Sequence, residues 1–337
     1  MRKDIMDARI SGRISLRLLA SVLALFVLIF LFACKGGGNL FGGGGQEFDS
    51  TVPVDSELRA NPGEPRDNTP QVLEPEQPGA QVRSSDKAVL DYSNASQGYI
   101  CALSYLDGIK VKVLVDAPDG NQYQYTILYA GEFITIPLSR GNGTYTVGIH
   151  ENVYDNRYAP IFSQDVTVEL NDEFGPFLYS NPYVNFTGAD EAVALSQEVT
   201  VNATSEVEAV DQIYMYVVQN YSYDYDKAAN VAPGYLPDND DTIATKTGIC
   251  FDFASLTAAM MRAQRLPTKL DIGYCGQAYH AWIEVYTKEK GWVRKKIEFR
   301  GEAWTRMDPT FDSAGRGTGD ISKVIGDGTN YQPLFFY

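Results

Sequence analysis

The sequence predicts an α+β domain at its C-terminal end, preceded by a small all-β sandwich and, before that, a disordered linker. Three observations predict it. Between 89 and 172 apolar residues recur at every second position, the period of a strand. From 205 the period lengthens to that of a helix and later returns to two, and a cluster of helices followed by a run of strands is an α+β order. Residues 35–88 are dominated by Gly, Pro, acids and amides and hold too little apolar surface to fold. The chain of 337 residues is 44% hydrophobic and 12% aromatic, enough for more than one core. The expected organisation is a signal segment at 1–33, a flexible linker at 34–88, an immunoglobulin-like β-sandwich at 89–172 and the α+β domain at 173–337.

The first segment reads as a targeting signal. Arg2, Lys3, Arg9, Arg13 and Arg17 outweigh Asp4 and Asp7, and an apolar run, LLASVLALFVLIFLFA, follows at 18–33. A positive start, a short apolar run and a small residue at the cut site describe a secretory signal. The end of the run, LFAC, resembles the lipobox of bacterial lipoproteins. That resemblance implies cleavage before Cys34 and a lipid on its thiol, hence an extracytoplasmic protein, lipid-anchored to the bacterial cell membrane. The alternative is an uncleaved anchor, for which the run is shorter than the roughly 20 residues of a spanning helix. The linker then opens with KGGGNLFGGGG and carries Pro53, Pro62, Pro65, Pro70, Pro75 and Pro78. As a coil it spans on the order of 40 Å.

In the sandwich, Ile109, Val111, Val113 and Val115 alternate with Lys110 and Lys112. Tyr145, Val147 and Ile149 repeat the pattern, as do Val166, Val168 and Leu170. Turn signals, APDGNQ at 117–122 and RGNGT at 140–144, separate the runs. His150 falls on the polar side of its strand and reads as an exposed bystander. NDEFGPFLYSNPYVNFT (171–187) reads as a connector. SEVEAVDQIYMYVVQNY (205–221) opens with Ser205 and Glu208, the spacing of a capping box. Val207, Val210, Ile213, Tyr214, Val217 and Tyr221 then form one apolar stripe. APGYLPDNDDTIATKTG reads as a loop. The next helix starts near Cys250, buries Phe253, Leu256, Met260 and Ala263, and ends before Pro267. Strands are expected at 268–275, 279–287, 291–299 and 303–311.

The net charge of −15 argues against a nucleic-acid partner, which needs a basic footprint. Two histidines and scattered thiols do not make a metal site, and the glycine-rich run has no helix behind it to cradle phosphate. No cofactor is indicated. Beyond Cys34 the chain has Cys101, Cys250 and Cys275, too few for a disulfide framework. A Cys101–Cys275 bridge cannot be read from sequence.

Cys250 is the residue with chemical promise. In the first turn of a helix, unpaired backbone N–H groups and the helix dipole favour the thiolate. His280 follows on a strand, sharing a face with Trp282 and Glu284, and could activate the thiol if within reach of it. Asp308 could hold the imidazole in one tautomer. Each has a plainer reading: Cys250 as a buried structural thiol, His280 as a satisfied core histidine, Asp308 as a turn residue before Pro309. Spacing alone does not choose. Asp252 would oppose ionisation of the thiol unless it caps the helix or pairs with a cation.

The blocks GICFDFASLTAAMMRAQRLPTKLDIGY, HAWIEVY, GW and DPTF resemble, in order, the core of the transglutaminase-like superfamily, over about 205–312. The resemblance implies a papain-like arrangement with Cys250 as nucleophile, His280 as general base and acid, and Asp308 as orienter. NYSYDYDKA resembles the segment that precedes the catalytic helix in such bacterial domains, which makes Tyr223 a candidate oxyanion donor beside a plain packing role. The superfamily resemblance further implies a thiol-dependent acyl-transfer enzyme acting on amide bonds of a peptide or protein substrate at the cell surface. It does not choose between water and an amine as acceptor, and cysteine-protease-like hydrolysis is the expectation favoured over crosslinking. The alternatives are a catalytically silent binding or scaffold lipoprotein, a protein-glutamine transamidase, or a wall-peptide amidase.

Overall fold

Alternating valines and tyrosines build two four-stranded antiparallel sheets from eight strands: β1 (Val82–Ser84), β2 (Ala88–Asp91), β3 (Tyr99–Ser104), β4 (Val111–Asp116), β5 (Gln122–Ile127), β6 (Ile134–Pro137), β7 (Gly143–Tyr154) and β8 (Arg157–Val168). One sheet runs β1-β2-β3-β6 and the other β5-β4-β7-β8. Their inner faces, Leu90, Ile100 and Ile136 from the first and Val113, Val147 and Ile149 from the second, meet in a common core. The structure is a computed structural model that describes residues 64–293 and 331–337. Cys34, Asp308, the expected strand at 303–311 and most of that at 291–299 lie outside the described residues.

The α+β part begins with helices α1 (Glu191–Val199) and α2 (Glu206–Asn220). Ser205 caps α2 by accepting the N–H of Glu208 at 3.1 Å. Glu208 reaches back to Thr204, at 2.7 Å from its backbone N–H, so the reciprocal half of the capping box is displaced by one residue. Short elements follow: β9 (Ser222–Tyr223), α3 (Tyr225–Asn230), α4 (Asn239–Thr245) and β10 (Thr247–Gly248). Helix α5 (Cys250–Ala263) is then buried from Asp252 to Ala263. The sequence shows an apolar stripe on it; the structure packs it against α1, α2, α4 and a sheet. That sheet has the order β13-β12-β11-β14, from β11 (Thr268–Cys275), β12 (Ala278–Thr287), β13 (Gly291–Val293) and β14 (Tyr331–Phe336).

β14 carries no strong sequence signal, since it holds a proline. It is an edge strand paired to β11 with a register shift at Ile272/Gly273, where proline is tolerated. Gly273 makes the pairing achievable: a Cβ there would lie 2.1 Å from the carbonyl oxygen of Gln332. The sandwich and the α+β part share one hydrophobic core. Ser139 donates to the carbonyl of Phe336 at 2.8 Å, and Tyr183 stacks on Tyr337 with centroids 3.7 Å apart.

Three expectations are corrected here. The linker reading fails for 64–88. Arg66 N–H donates to Ala203 (2.8 Å), Gln71 N–H to Ala263 (2.9 Å), and the Arg66 guanidinium to the carbonyl of Gln264 (2.9 Å). Composition measures how much apolar surface a segment can bury. It does not register that an extended chain can satisfy the unpaired carbonyls at a helix C-terminus. His150 is half-buried rather than exposed, and its Nδ1 is shut away with no hydrogen-bond partner among the described residues. The ring folds down over Gly148, whose missing Cβ would otherwise lie 2.7 Å from it. The stretch read as a loop, 232–248, contains α4, which like α3 has no apolar stripe long enough to announce it. Asp224 and Asp238 cap α3 and α4, accepting N–H groups three residues on at 2.8 and 3.0 Å.

Candidate active site

Cys250 is the first residue of α5. Its N-cap, Ile249, has no side-chain acceptor, so Asp252 supplies one: its Oδ2 accepts the N–H of Ile249 at 2.8 Å. Gly248 permits this, because a Cβ there would lie 2.8 Å from the Cβ of Asp252 and 3.0 Å from the Phe253 ring. The approach to the helix is fixed by a parallel ladder between β9 and β10, with Tyr223 opposite Gly248. Ser222 N–H donates to Lys246 (3.0 Å) and Asp224 N–H to Gly248 (2.8 Å). Tyr223 is thereby held beside the residue two before the thiol, its ring edge-on to Tyr225 with centroids 4.9 Å apart.

The three described thiols form no disulfide among the described residues, and they differ in access. Cys101 and Cys275 are buried, and burial pushes the Cys101 thiol up to about 11. Cys250 is half-exposed. Since the thiolate is the nucleophile, Cys101 is disqualified by its surroundings, while Cys250 meets solvent.

His280 lies on β12 opposite Gly273, and β12 packs against α5. Alternation splits the strand: Ala281, Ile283 and Val285 join the core that contains α5, whereas Trp282 clusters with Cys275 and Tyr331. The imidazole is 7% exposed and lies nearly parallel to the Trp282 ring, centroids 6.3 Å apart. Cys250 and His280 thus sit on two packed neighbouring elements, with His280 in register with the Trp282 side of its strand. Asp308 lies outside the described residues.

Several residues around the thiol escaped sequence reading. Tyr279 is 46% exposed. Burial of its hydroxyl, then Tyr183, Tyr274 and the field of Cys250, push its pKa up to about 12. It is a neutral hydrogen-bond donor at neutral pH. Phe251 lies between the rings of Tyr183 and Tyr235, with centroids 5.9 and 6.3 Å away. Asp252 is wholly buried and both caps the helix and pairs with a cation: Lys227 Nζ is 2.9 Å away, and the Tyr235 hydroxyl donates to its other oxygen. The two sequence alternatives for Asp252 are both realised. Tyr183 and Tyr235 lie between regular elements and give no periodic signal, so only the fold could reveal them as neighbours.

Among the described residues no group of three or more His, Cys, Asp or Glu side chains could hold a metal ion. A polar groove of about 600 Å³, lined by residues that include Gln81, Tyr92, Gln164 and Asn171, lies on the sandwich and involves none of these side chains.

Residues 193–296 match the Transglutaminase-like superfamily, so the chain carries a transglutaminase-like domain that includes Cys250 and His280. The UPF0252 protein MJ1282 of Methanocaldococcus jannaschii is 24% identical over 203 residues, covering 54% of this chain and 57% of that protein. This chain therefore spans little more than half the length of that curated relative. Among solved structures, a candidate cysteine protease from Cytophaga hutchinsonii aligns at 16% identity with a TM-score of 0.33, over 63% of this chain and 78% of the other. A candidate protease from Parabacteroides distasonis aligns at 14% and 0.29, over 68% and 64%. Red sea bream transglutaminase aligns at 11% and 0.27, over 78% of this chain and 52% of its own.

Proposed function

We propose that this protein is a cysteine-dependent acyl-transfer enzyme acting on amide bonds of peptides or proteins. The observation that carries the reading is the half-exposed thiol of Cys250 at the first residue of a buried helix, inside the transglutaminase-like match. In the proposed reaction the Cys250 thiolate attacks the amide carbonyl. N–H groups at the start of α5 stabilise the oxyanion, with Tyr223 as a candidate further donor. His280 takes the thiol proton and passes it to the departing amine, and Asp308 orients the imidazole. Water then releases the acyl group, and hydrolysis is the outcome we favour over crosslinking. Because Cys34 ends an apolar run behind a basic segment, we further propose that the enzyme works outside the cytoplasm, tethered to a membrane by a lipid on that residue.

Iodoacetamide at neutral pH provides the test. Cys250 is expected to alkylate faster than a free cysteine, and Cys250→Ala to lose turnover on a peptide-amide library while remaining folded. Full turnover in Cys250→Ala would end the proposal. Release of free peptide without amine incorporation separates hydrolysis from transamidation.

A further inference from the structure

Asp252 sits two residues after the proposed nucleophile, in the same helical turn, with no solvent access. A buried carboxylate there raises a difficulty, because its negative charge opposes formation of a second one on the Cys250 sulfur. Its other partners resolve the difficulty. Lys227, on α3, places Nζ 2.9 Å from Oδ2, and the hydroxyl of Tyr235 donates to Oδ1. The ammonium also lies over the Tyr235 ring, 4.7 Å from its centroid. Burial alone would lower the pKa of Lys227, but its hydrogen bonds to Tyr235 and Asp252 outweigh that and raise it, so it remains a cation.

Resting on the proposed role of Cys250, we propose that Lys227 is a positioning residue that acts through Asp252: it cancels the carboxylate's charge at the head of α5. The thiol can then ionise while Asp252 still anchors the N–H of Ile249. The turn thereby has a hydrogen-bond acceptor without an uncompensated anion. An amide in place of the carboxylate would accept the N–H more weakly and an alkyl group not at all.

Other titratable groups lie on the elements packed against α5: exposed Asp240 and Asp241 on α4 with Asp238 at its cap, Asp211 and Tyr214 on α2, and Glu191 and Glu198 on α1. On α3 and its cap are Asp226 and Asp224, the latter accepting the N–H of Lys227. β9 brings Tyr223 and the turn before β10 brings exposed Lys246. From the sheet come Tyr274, Tyr279 and His280, with Tyr279 neutral below about 12. Tyr183 completes the set and is pushed upward by burial. Of these, Lys227 is the cation that an ion pair ties to the first turn of α5.

The test reads the pH midpoint of Cys250 alkylation in the full chain, by iodoacetamide and mass mapping of the Cys250 peptide. Asp252→Asn keeps an acceptor for Ile249 and removes the charge. Its midpoint is expected to fall by between about half a unit and two units, the range for charges in one turn between water-like and protein-like screening. Lys227→Met is expected to raise the midpoint by a similar amount, Lys227→Arg to leave it in place, and the Asp252→Asn/Lys227→Met double variant to return toward wild type. A merely structural clasp would not give shifts of opposite sign. Midpoints that stay put, or that move together, overturn the proposal. If Lys227→Met fails to fold, Asp252→Asn must still fall and the double variant must still lie above it. These shifts are readable whatever reaction the protein performs. Failure here with an active Cys250 removes only the charge-balancing role, whereas loss of the proposed function would appear as full turnover in Cys250→Ala.

Discussion

Substituting Gly248 by alanine tests how closely the β10–α5 junction is packed. A Cβ at this position meets the Cβ of Asp252 at 2.8 Å, the Cε1 of Phe253 at 3.0 Å and Oδ2 of Asp252 at 3.1 Å. Neither neighbour can yield cheaply, because both side chains are 0% exposed. Overpacking of this kind costs about 1–3 kcal/mol. Pushing Asp252 aside also strains its bond to Ile249, and a hydrogen bond to a charged group is worth about 1.5–3 kcal/mol when lost. The expected destabilisation is therefore about 2–5 kcal/mol, or a fall in Tm of roughly 5–15 °C for a unit of this size. Urea denaturation followed by circular dichroism measures the first quantity and a thermal scan the second. The same displacement disorders the turn that holds the thiol, so the iodoacetamide rate at Cys250 should drop several-fold in the folded variant. A Gly248→Ala protein within about 0.5 kcal/mol of wild type, the scale of an ordinary surface change, with unchanged alkylation would refute the reasoning.

Other predictions follow from the same contacts. Gly273→Ala should detach β14, since its Cβ would meet the backbone of Gln332 and Pro333, which cannot rotate away; loss of hydrogen-exchange protection at Leu270 and Tyr337, whose N–H groups each donate to the other's carbonyl at 2.9 Å, reads this out. Native-state alkylation at pH 8 should modify Cys250 and spare Cys101 and Cys275 until denaturant is added, because burial holds Cys101 at about 11 and closes Cys275 to reagent. Ser205→Ala removes the N-cap of α2 and should cost about 1 kcal/mol in chemical denaturation, with no change in Cys250 reactivity.

Much of the fold was legible in the chain because it rests on short-range rules. Alternation at Val111, Val113 and Val115 marks a strand with one buried face whatever it packs against. Pro267 follows the end of α5, and its ring could not continue a helix, a reason local to the chain. Cys250 was legible because a helix start is itself a local event and the Gly before Ile249 marks a close approach. His280 and the order of the blocks were visible by resemblance to a family, not by spacing.

Other features depend on distant partners. Residues 64–88 look like coil until the carbonyls at the end of α5 receive their donors. β14 has no pattern of its own and exists because Gly273 leaves room beside it. His150 changes from exposed to half-buried because a glycine two residues earlier leaves bare backbone. Lys227 and Tyr235 acquire a role only when α3 and its following loop fold over Asp252, 25 and 17 residues away in sequence. The sequence by itself thus determined the elements, the period of each buried face and the residue at the head of the helix. Tertiary structure alone decided which charges meet at that helix, which thiols are sealed away and which strand closes the sheet. Propensity and period act within a few residues, whereas charge pairing and burial depend on distances that the chain acquires only by folding.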